Sequence, residues 1–392
     1  MSCTELLACV ACSNDKIEKF LDLHDQPLAN NFTDTPIKTD EYPLAVNYCD
    51  ICGHTQLSHS VDPSVLFANY IYKSGTSNTL KDYFLDFAKK VSNENTSSKT
   101  VLDIACNDGS QLNAFSNYGW KTYGVDPAEN LLEESSKVHN ITHGFWPCDT
   151  HLKKYDVIVA QNVLAHTPNP YEFLLACSDN IMNTGKIYIQ TSQCQMYQRG
   201  EFDTVYHEHI SFFSVSSMLR LAGRCGLYLN KVEIMDIHGD SYLFTLSKEY
   251  NVQNSIAMKE KEDADGRTTF SFYEKFADNV KTLCDEFKHT VEKYKQDGYT
   301  VIGYGAAAKG MTFLNAAQTE LDFIIDDSPA KQGLFSPAMQ IPVVSIDELS
   351  KHDKVIIVPL AWNFLNEIRQ RVDAVKSDVK YITYFPSVTT ID

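Results

Sequence analysis

Lys99-Thr-Val-Leu-Asp-Ile-Ala-Cys-Asn-Asp-Gly109 runs a short apolar strand into a glycine-containing turn, and Gln111-Leu-Asn-Ala-Phe-Ser-Asn-Tyr-Gly119 continues it as a helix closed by Gly119. Outward from this unit, apolar strands are read at residues 121–126, 155–162 and 185–192, with a helix over residues 171–182. Strand alternating with helix predicts a parallel α/β sheet. Residues 226–235 and 240–250, separated by Asp236-Ile-His-Gly239, predict two antiparallel strands that close it, so the unit is expected to end near Tyr250. The charged run over residues 259–267 is read as a solvated linker. Beyond it, Tyr273, Phe276, Val280, Leu283, Phe287, Val291 and Tyr294 recur at spacings of three and four, the apolar stripe of a long helix stopped at Gly298. A second strand and glycine turn begins at once with Tyr299-Thr-Val-Ile-Gly-Tyr-Gly-Ala-Ala-Ala-Lys-Gly310.

A chain of 392 residues exceeds the size of one core, and 43% hydrophobic residues suffice to fill several. The parts expected are residues 1–68, 69–250 and 251–392. No run reaches the ~18 apolar residues of a membrane span, and the N-terminus lacks the basic flank of a signal peptide, so a cytoplasmic protein is expected. A net charge of −17 opposes contact with a phosphate backbone and disfavours nucleic-acid partners.

Of eleven cysteines, four stand in two short pairs, Cys9-x-x-Cys12 and Cys49-x-x-Cys52. Each pair places two thiolates on one tight turn, and two such knuckles make a tetrahedral zinc site with no position left for water, hence a structural one. Residues 13–48 are longer than the loop of a compact zinc ribbon and are expected to have structure of their own. A disulfide or unrelated core thiols are the alternatives. His54 is a ligand type, but Cys52-Gly-His54 reads more simply as a turn.

The first strand ends in Asp103-Ile-Ala-Cys-Asn-Asp-Gly109, and Asp126 ends the next, about 20 positions on, where an acidic residue holds ribose hydroxyls. Ala105 and Asn107 stand where glycines would admit a pyrophosphate. Asp103 and Asp108 repel phosphate and suit a cationic cofactor, which favours S-adenosylmethionine over a dinucleotide. An empty crevice with acidic turn formers is the bland alternative.

Phe202-Asp-Thr-Val-Tyr-His-Glu-His-Ile210 follows the strand ending at Ser192, and His166 lies just beyond another strand, so both reach the carboxyl edge of the sheet. Tyr206, Glu208 and His209 can supply an oxyanion donor, a carboxylate that fixes a tautomer, and a general base. His207, Glu208 and His209 are also metal-ligand types, but their spacing does not put both histidines on one helix face. His207 reads more simply as a hydrogen-bonded core group.

These runs, with Pro27-Leu-Ala-Asn30, Tyr70-Ile-Tyr72-Lys-Ser74, Asn162-Val-Leu-Ala-His166, His238-Gly-Asp-Ser241, Asp327-Ser-Pro-Ala-Lys-Gln-Gly333 and Trp362-Asn363, resemble in order a known family: the three-domain sugar C-methyltransferases that act on nucleotide-linked keto-deoxysugars. The resemblance implies a zinc-binding module, a central class I methyltransferase (Rossmann-like) domain, and a C-terminal Rossmann-like domain that encloses the substrate. It implies His209 as general base, with Tyr206, Glu208, His166 and Tyr72 beside it. Asp103, Ala105, Cys106, Asn107, Asp108, Gly109, Asp126 and Asn162 would meet the cofactor, and His238, Ser241, Lys309, Trp362 and Asn363 the substrate. The implied protein is a monomer or homodimer. It departs from the family pattern at Asp240, where a second glycine is usual, at Tyr242-Leu-Phe, where a basic residue is usual, and at Gln190-Thr-Ser-Gln193, where Glu-x-Pro is usual.

Gly303-Tyr-Gly305 through Gly310, with Asp326 about 20 residues later, is also a dinucleotide fingerprint, so an NAD-dependent sugar-nucleotide oxidoreductase is the rival reading. Lys309 at a helix N-terminus would otherwise hold a diphosphate, and a purely structural turn is the third possibility. A non-catalytic sugar-nucleotide-binding protein keeps the same fold.

Overall fold

The computed structural model describes residues 3–67, 74–76, 78–94, 99–152, 154–192, 195–237 and 239–392. Tyr72 and His238 lie outside them. The chain opens with β1 (Cys3–Glu5), β2 (Ile17–Pro27), β3 (Glu41–Cys49), β4 (Thr55–Leu57), β5 (His59–Val61) and α1 (Pro63–Phe67). The loop between the cysteine pairs is thus largely a hairpin of β2 on β3.

The central unit comprises α2 (Asn78–Glu94), β6 (Thr100–Ile104), α3 (Ser110–Ser116), β7 (Lys121–Asp126), α4 (Glu129–Ser135), β8 (Asn140–His143), β9 (Tyr155–Gln161), α5 (Pro170–Asn180) and β10 (Ile181–Ser192). It continues with α6 (Met196–Arg199), β11 (Ser211–Phe212), α7 (Val215–Arg224), β12 (Tyr228–Met235) and β13 (Ser241–Ser247). Its sheet has the order β12-β13-β10-β9-β6-β7-β8. The run from β10 to β8 is parallel, and β13 and β12 close it antiparallel. The winding reverses between β6 and β9, which opens a crevice at their carboxyl ends. Two details differ from the sequence reading. The helix over 171–182 stops at Asn180 because Ile181 pairs with Tyr155, and β8, short and polar, had no apolar signal to announce it.

The expected linker over 259–267 is instead largely helix. α8 (Gln253–Ala264) packs against β12 and α7. Its charges face solvent, apart from Glu262, which is 2% exposed and accepts from the Val215 N–H and the Tyr242 hydroxyl, both at 2.9 Å. α9 (Phe270–Gln296) follows, and six of the seven stripe residues are buried, Tyr294 only half. At about 1.5–3 kcal/mol per large apolar side chain, that face is a strong anchor. It packs on β2 and on β14 (Thr300–Tyr304), so one core joins Leu21 and Leu44 of the first unit, Phe276 and Phe287 of the helix, and Leu314 and Leu360 of the last.

The last unit continues with α10 (Ala308–Ala316), β15 (Phe323–Ile325), β16 (Val343–Val344), β17 (Val355–Pro359), α11 (Leu365–Asp373), β18 (Lys380–Thr383) and β19 (Thr389–Ile391). Its order, β16-β15-β14-β17-β18-β19, again reverses beside the first strand. The four-stranded sheet of the first unit has the order β11-β4-β3-β2, so a piece of the central segment supplies its edge. Among the described residues no helix is long and apolar enough to cross a membrane.

Candidate active site and metal centre

At the end of β6 the backbone turns sharply, with Ala105, Asn107 and Gly109 at φ of 60°, 52° and 79°. Left-handed backbone costs alanine roughly 1–2 kcal/mol, whereas asparagine tolerates it through local hydrogen bonding. Asp126 braces the turn: one carboxylate oxygen accepts the Asn107 N–H at 2.8 Å, the other the Ala128 N–H at 2.8 Å. Asp103, 4% exposed, accepts from Gln111 Nε2 at 3.1 Å. Burial, then the charge of Asp126, raises the Asp103 carboxyl well above the usual range, and burial raises Asp126. Cys106 is buried against Gly124, where an added Cβ would come within 2.6 Å of its sulfur. Asn162 holds φ of 55° beyond β9, and its buried Oδ1 has no partner among the described residues. The Ser74 N–H donates to Asn107 Oδ1 at 3.0 Å and the Gly75 N–H to Asp108 Oδ2 at 2.8 Å, so residues 74–76 lie over the turn. No local sequence signal pointed to this contact.

Two buried carboxylates that lose stability by ionising, with an unpartnered amide oxygen beside them, fit a cationic ligand carrying hydrogen-bonding groups. S-adenosylmethionine is such a ligand.

His209 and His166 meet at the same edge, ring centroids 4.9 Å apart. His209 Nδ1 donates to the Thr204 carbonyl at 2.8 Å. A carbonyl only accepts, so Nδ1 carries the hydrogen, and in the neutral ring the lone pair is on Nε2. That Nε2 lies 3.2 Å from the Tyr206 hydroxyl. His166 Nδ1 likewise donates to the Glu208 carbonyl at 2.7 Å, and burial lowers its pKa to about 4, which keeps it neutral. The tautomers are therefore fixed by backbone carbonyls, and the carboxylate expected for that task is engaged elsewhere: Glu208 accepts from Asn30 Nδ2 at 2.7 Å. His207, 2% exposed, donates from Nε2 to the Tyr42 carbonyl at 3.1 Å and is a core group; residues 206–209 form a turn rather than an extended segment.

From the third unit Trp362 reaches the same loop. Its Nε1 donates to Asp203 Oδ2 at 2.8 Å, and Lys309 Nζ lies 5.1 Å from the centre of its ring. Glu201, 4% exposed, is pushed up to about 7 by burial against the pull of Lys309 and Arg199. Asp240, where the family has glycine, takes φ of 70° and pairs with Arg199. Ser241 is fully buried and donates to the Ile237 carbonyl at 2.9 Å, which closes the turn before β13, and Asn363 is exposed. Tyr242 and Leu243, at the place of the family's basic residue, are buried in the sheet. Asp203 and Glu201 lay in or beside the run read for its histidines, but Trp362, the partner of Asp203, is too distant in sequence to have marked it.

In the first unit the sulfurs of Cys9, Cys12, Cys49 and Cys52 lie within 4.8 Å of one another, with Cys9–Cys52 and Cys12–Cys49 at 3.6 Å. A tetrahedron with ~2.3 Å arms has sulfurs about 3.8 Å apart, so the quartet fits zinc. His54 is outside it, fully buried with Nε2 3.3 Å from Ser211 Oγ.

A doubly wound sheet with an acidic, cation-suited turn and paired histidines at its carboxyl edge defines an S-adenosylmethionine-dependent methyltransferase carrying a structural zinc site. Three family models match consecutive stretches: a zinc binding domain over 9–67, a methyltransferase domain over 73–232 and a C-methyltransferase C-terminal domain over 236–386. C-methyltransferase NovU of Streptomyces niveus is 27% identical over 380 residues, 92% of this chain and 90% of its own. A ubiquinone biosynthesis O-methyltransferase of Shewanella halifaxensis is 23% identical over 180 residues, 41% of this chain and 76% of its own. The plantazolicin methyltransferase BpumL, solved in complex with SAH, is 16% identical with a TM-score of 0.37 and covers 44% of this chain and 86% of its own. The three models follow one another along the chain in the order zinc-binding, methyltransferase and C-terminal, and the chain is similar to a C-methyltransferase over nearly its whole length.

Proposed function

We propose that the enzyme methylates the carbon next to the ketone of a nucleotide-linked keto-deoxysugar, through an enolate, with His209 as general base. The observation that carries this is the His209 imidazole, held by Thr204 with its Nε2 lone pair facing the Tyr206 hydroxyl at the carboxyl edge of the sheet. Nε2 takes the proton from the carbon. Tyr206 donates to the developing enolate oxygen, and neutral His166 keeps a second positive charge away from the new imidazolium. S-adenosylmethionine, when bound by the 103–109 turn, Asp126 and Asn162, supplies the electrophilic methyl. Lys309 and Trp362 approach from the third unit and are assigned to the substrate side, with Tyr72 and His238 assigned on the family pattern. The enzyme is read as a cytoplasmic monomer or homodimer without nucleic-acid or membrane partners.

The test is solvent-deuterium incorporation into a panel of nucleotide-linked keto-sugars. The wild type is expected to exchange the proton next to the ketone. His209→Ala is expected to lose that exchange by ~10²–10⁴-fold while S-adenosylmethionine affinity in calorimetry stays within twofold. An exchanging His209→Ala enzyme refutes the base, and a wild type that methylates other acceptors but exchanges no keto-sugar refutes the substrate.

A further inference from the structure

The residues around His209 are stitched, one after another, to the cysteine-built unit. His207 donates to the Tyr42 carbonyl on β3, and Glu208 accepts from Asn30 just past β2. The Leu57 N–H donates to the Ile210 carbonyl at 2.8 Å. Ser211 pairs with Gln56 and Phe212 with Thr55, which makes β11 the edge strand of that sheet. A two-residue strand has too few ladder bonds to hold itself in place; its position is set by β4.

β4 in turn is fixed to both knuckles. Gln56, 1% exposed, accepts the Val10 N–H at 2.8 Å through Oε1 and donates from Nε2 to the Ala8 carbonyl at 3.1 Å, so its side chain grips the backbone on either side of Cys9. The His54 carbonyl accepts the Cys49 N–H at 2.9 Å, while its ring meets Ser211 and packs 4.8 Å from Phe213. A small unit organised by four thiolates owes much of its folding free energy to the metal they hold. Moving a catalytic group by about 1 Å costs on the order of 10²-fold in rate.

We propose that the zinc unit is the positioning element of the base: through Gln56 and His54 it fixes β11, and β11 fixes the backbone from which His209 projects. This rests on the reading of His209 given above. Gln56 and His54 are positioning residues and touch no reactant. The metal site is structural, and its geometry is transmitted over one sheet edge to the catalytic edge of a different sheet.

The test uses the full chain with zinc, the same protein after chelation, and Gln56→Met, which leaves the four thiolates in place. Metal analysis, hydrogen exchange by mass spectrometry, ¹⁵N-histidine resonances and calorimetry with S-adenosylmethionine are read together. Gln56→Met is expected to retain one zinc per chain and wild-type cofactor affinity within twofold. Exchange over residues 206–212 is expected to quicken at least tenfold, residues 100–126 to stay unchanged, and His209 to lose its single Nδ1–H tautomer signature. Chelation is expected to produce the same changes more strongly, and where it unfolds the whole chain Gln56→Met decides. Wild-type protection over 206–212 with an unaltered His209 signature in Gln56→Met overturns the proposal. None of these readouts depends on which group takes the proton, so an active His209→Ala would remove the base reading and leave the tie itself standing or falling on exchange.

Discussion

The two α/β units of this chain carry nearly the same device and use it differently. In the central unit Asp126 accepts the N–H groups of Asn107 and Ala128; in the last, Asp326 accepts those of Ala306 and Ser328 at 2.7 and 2.9 Å. Both aspartates stand about 20 residues beyond the first strand, and both brace the turn they face. The difference lies in what fills the turn. In the last unit Lys331 Nζ bonds to the Ala306 carbonyl, and an added Cβ on Gly303, Gly305 or Gly310 would come within 2.7, 2.8 or 2.5 Å of Leu360 or Ala361. Those glycines admit the neighbouring strand end, so the fingerprint is explained by packing, without NAD. In the central unit the left-handed positions are held by Ala105 and Asn107, and among the described residues the buried carboxylates beside them have no neutralising lysine of this kind. A shared glycine pattern therefore does not imply a shared ligand.

The largest effect that would break this comparison is on cofactor binding. Asp126→Ala is expected to weaken S-adenosylmethionine by about ten- to a hundredfold, the ~1.5–3 kcal/mol of a hydrogen bond to a charged group. Asp326→Ala is expected to lower the melting temperature and leave that affinity within twofold. Equal losses of affinity in calorimetry would erase the distinction.

A smaller effect separates the glycines. Gly310→Ala is expected to destabilise by about 1–3 kcal/mol, since its new carbon meets Leu360 Cβ at 2.5 Å. Ala105→Gly, relieving a left-handed alanine, is expected to be neutral or to gain up to about 1 kcal/mol. Denaturant unfolding reads both, and a destabilised Ala105→Gly would show that the alanine is held by contacts rather than merely tolerated.

The smallest effect is protonic. Burial and the Asp126 charge raise Asp103 when the cofactor is absent, so the folded protein binds more protons than the unfolded chain between the ordinary carboxylate range and the raised value. Stability from this group is present below that window and falls as pH rises through it. A cationic ligand prefers the carboxylate, so its binding is expected to release protons and to strengthen over the same window. Calorimetry in buffers of different ionisation enthalpy measures the release, which Asp103→Asn should reduce to the part that Asp126 supplies.

Legibility followed sequence separation. The cysteine pairs, the 103–109 turn with Asp126, and the α9 stripe are patterns of local spacing, and each folds where spacing put it. The 259–267 run misled because its exposed charges outnumber its two buried ones, Glu262 and Arg267, which pair with each other and meet Val215 and Tyr242 on other elements. Glu208 misled because adjacency to His209 suggested a partner, whereas residues 206–209 form a turn and the Glu208 carboxylate meets Asn30.

The sequence by itself determined the class of chemistry: four thiolates at metal spacing, an acidic turn for a cation, histidines beyond a strand end. Tertiary structure alone decided how those parts act on one another. Asn30, Tyr42 and Leu57 each lie more than 150 positions before the residues they hold, and Trp362 lies 159 positions after Asp203. A hydrogen bond depends on distance and angle in space, and neither is set by spacing along the chain until the cores have packed.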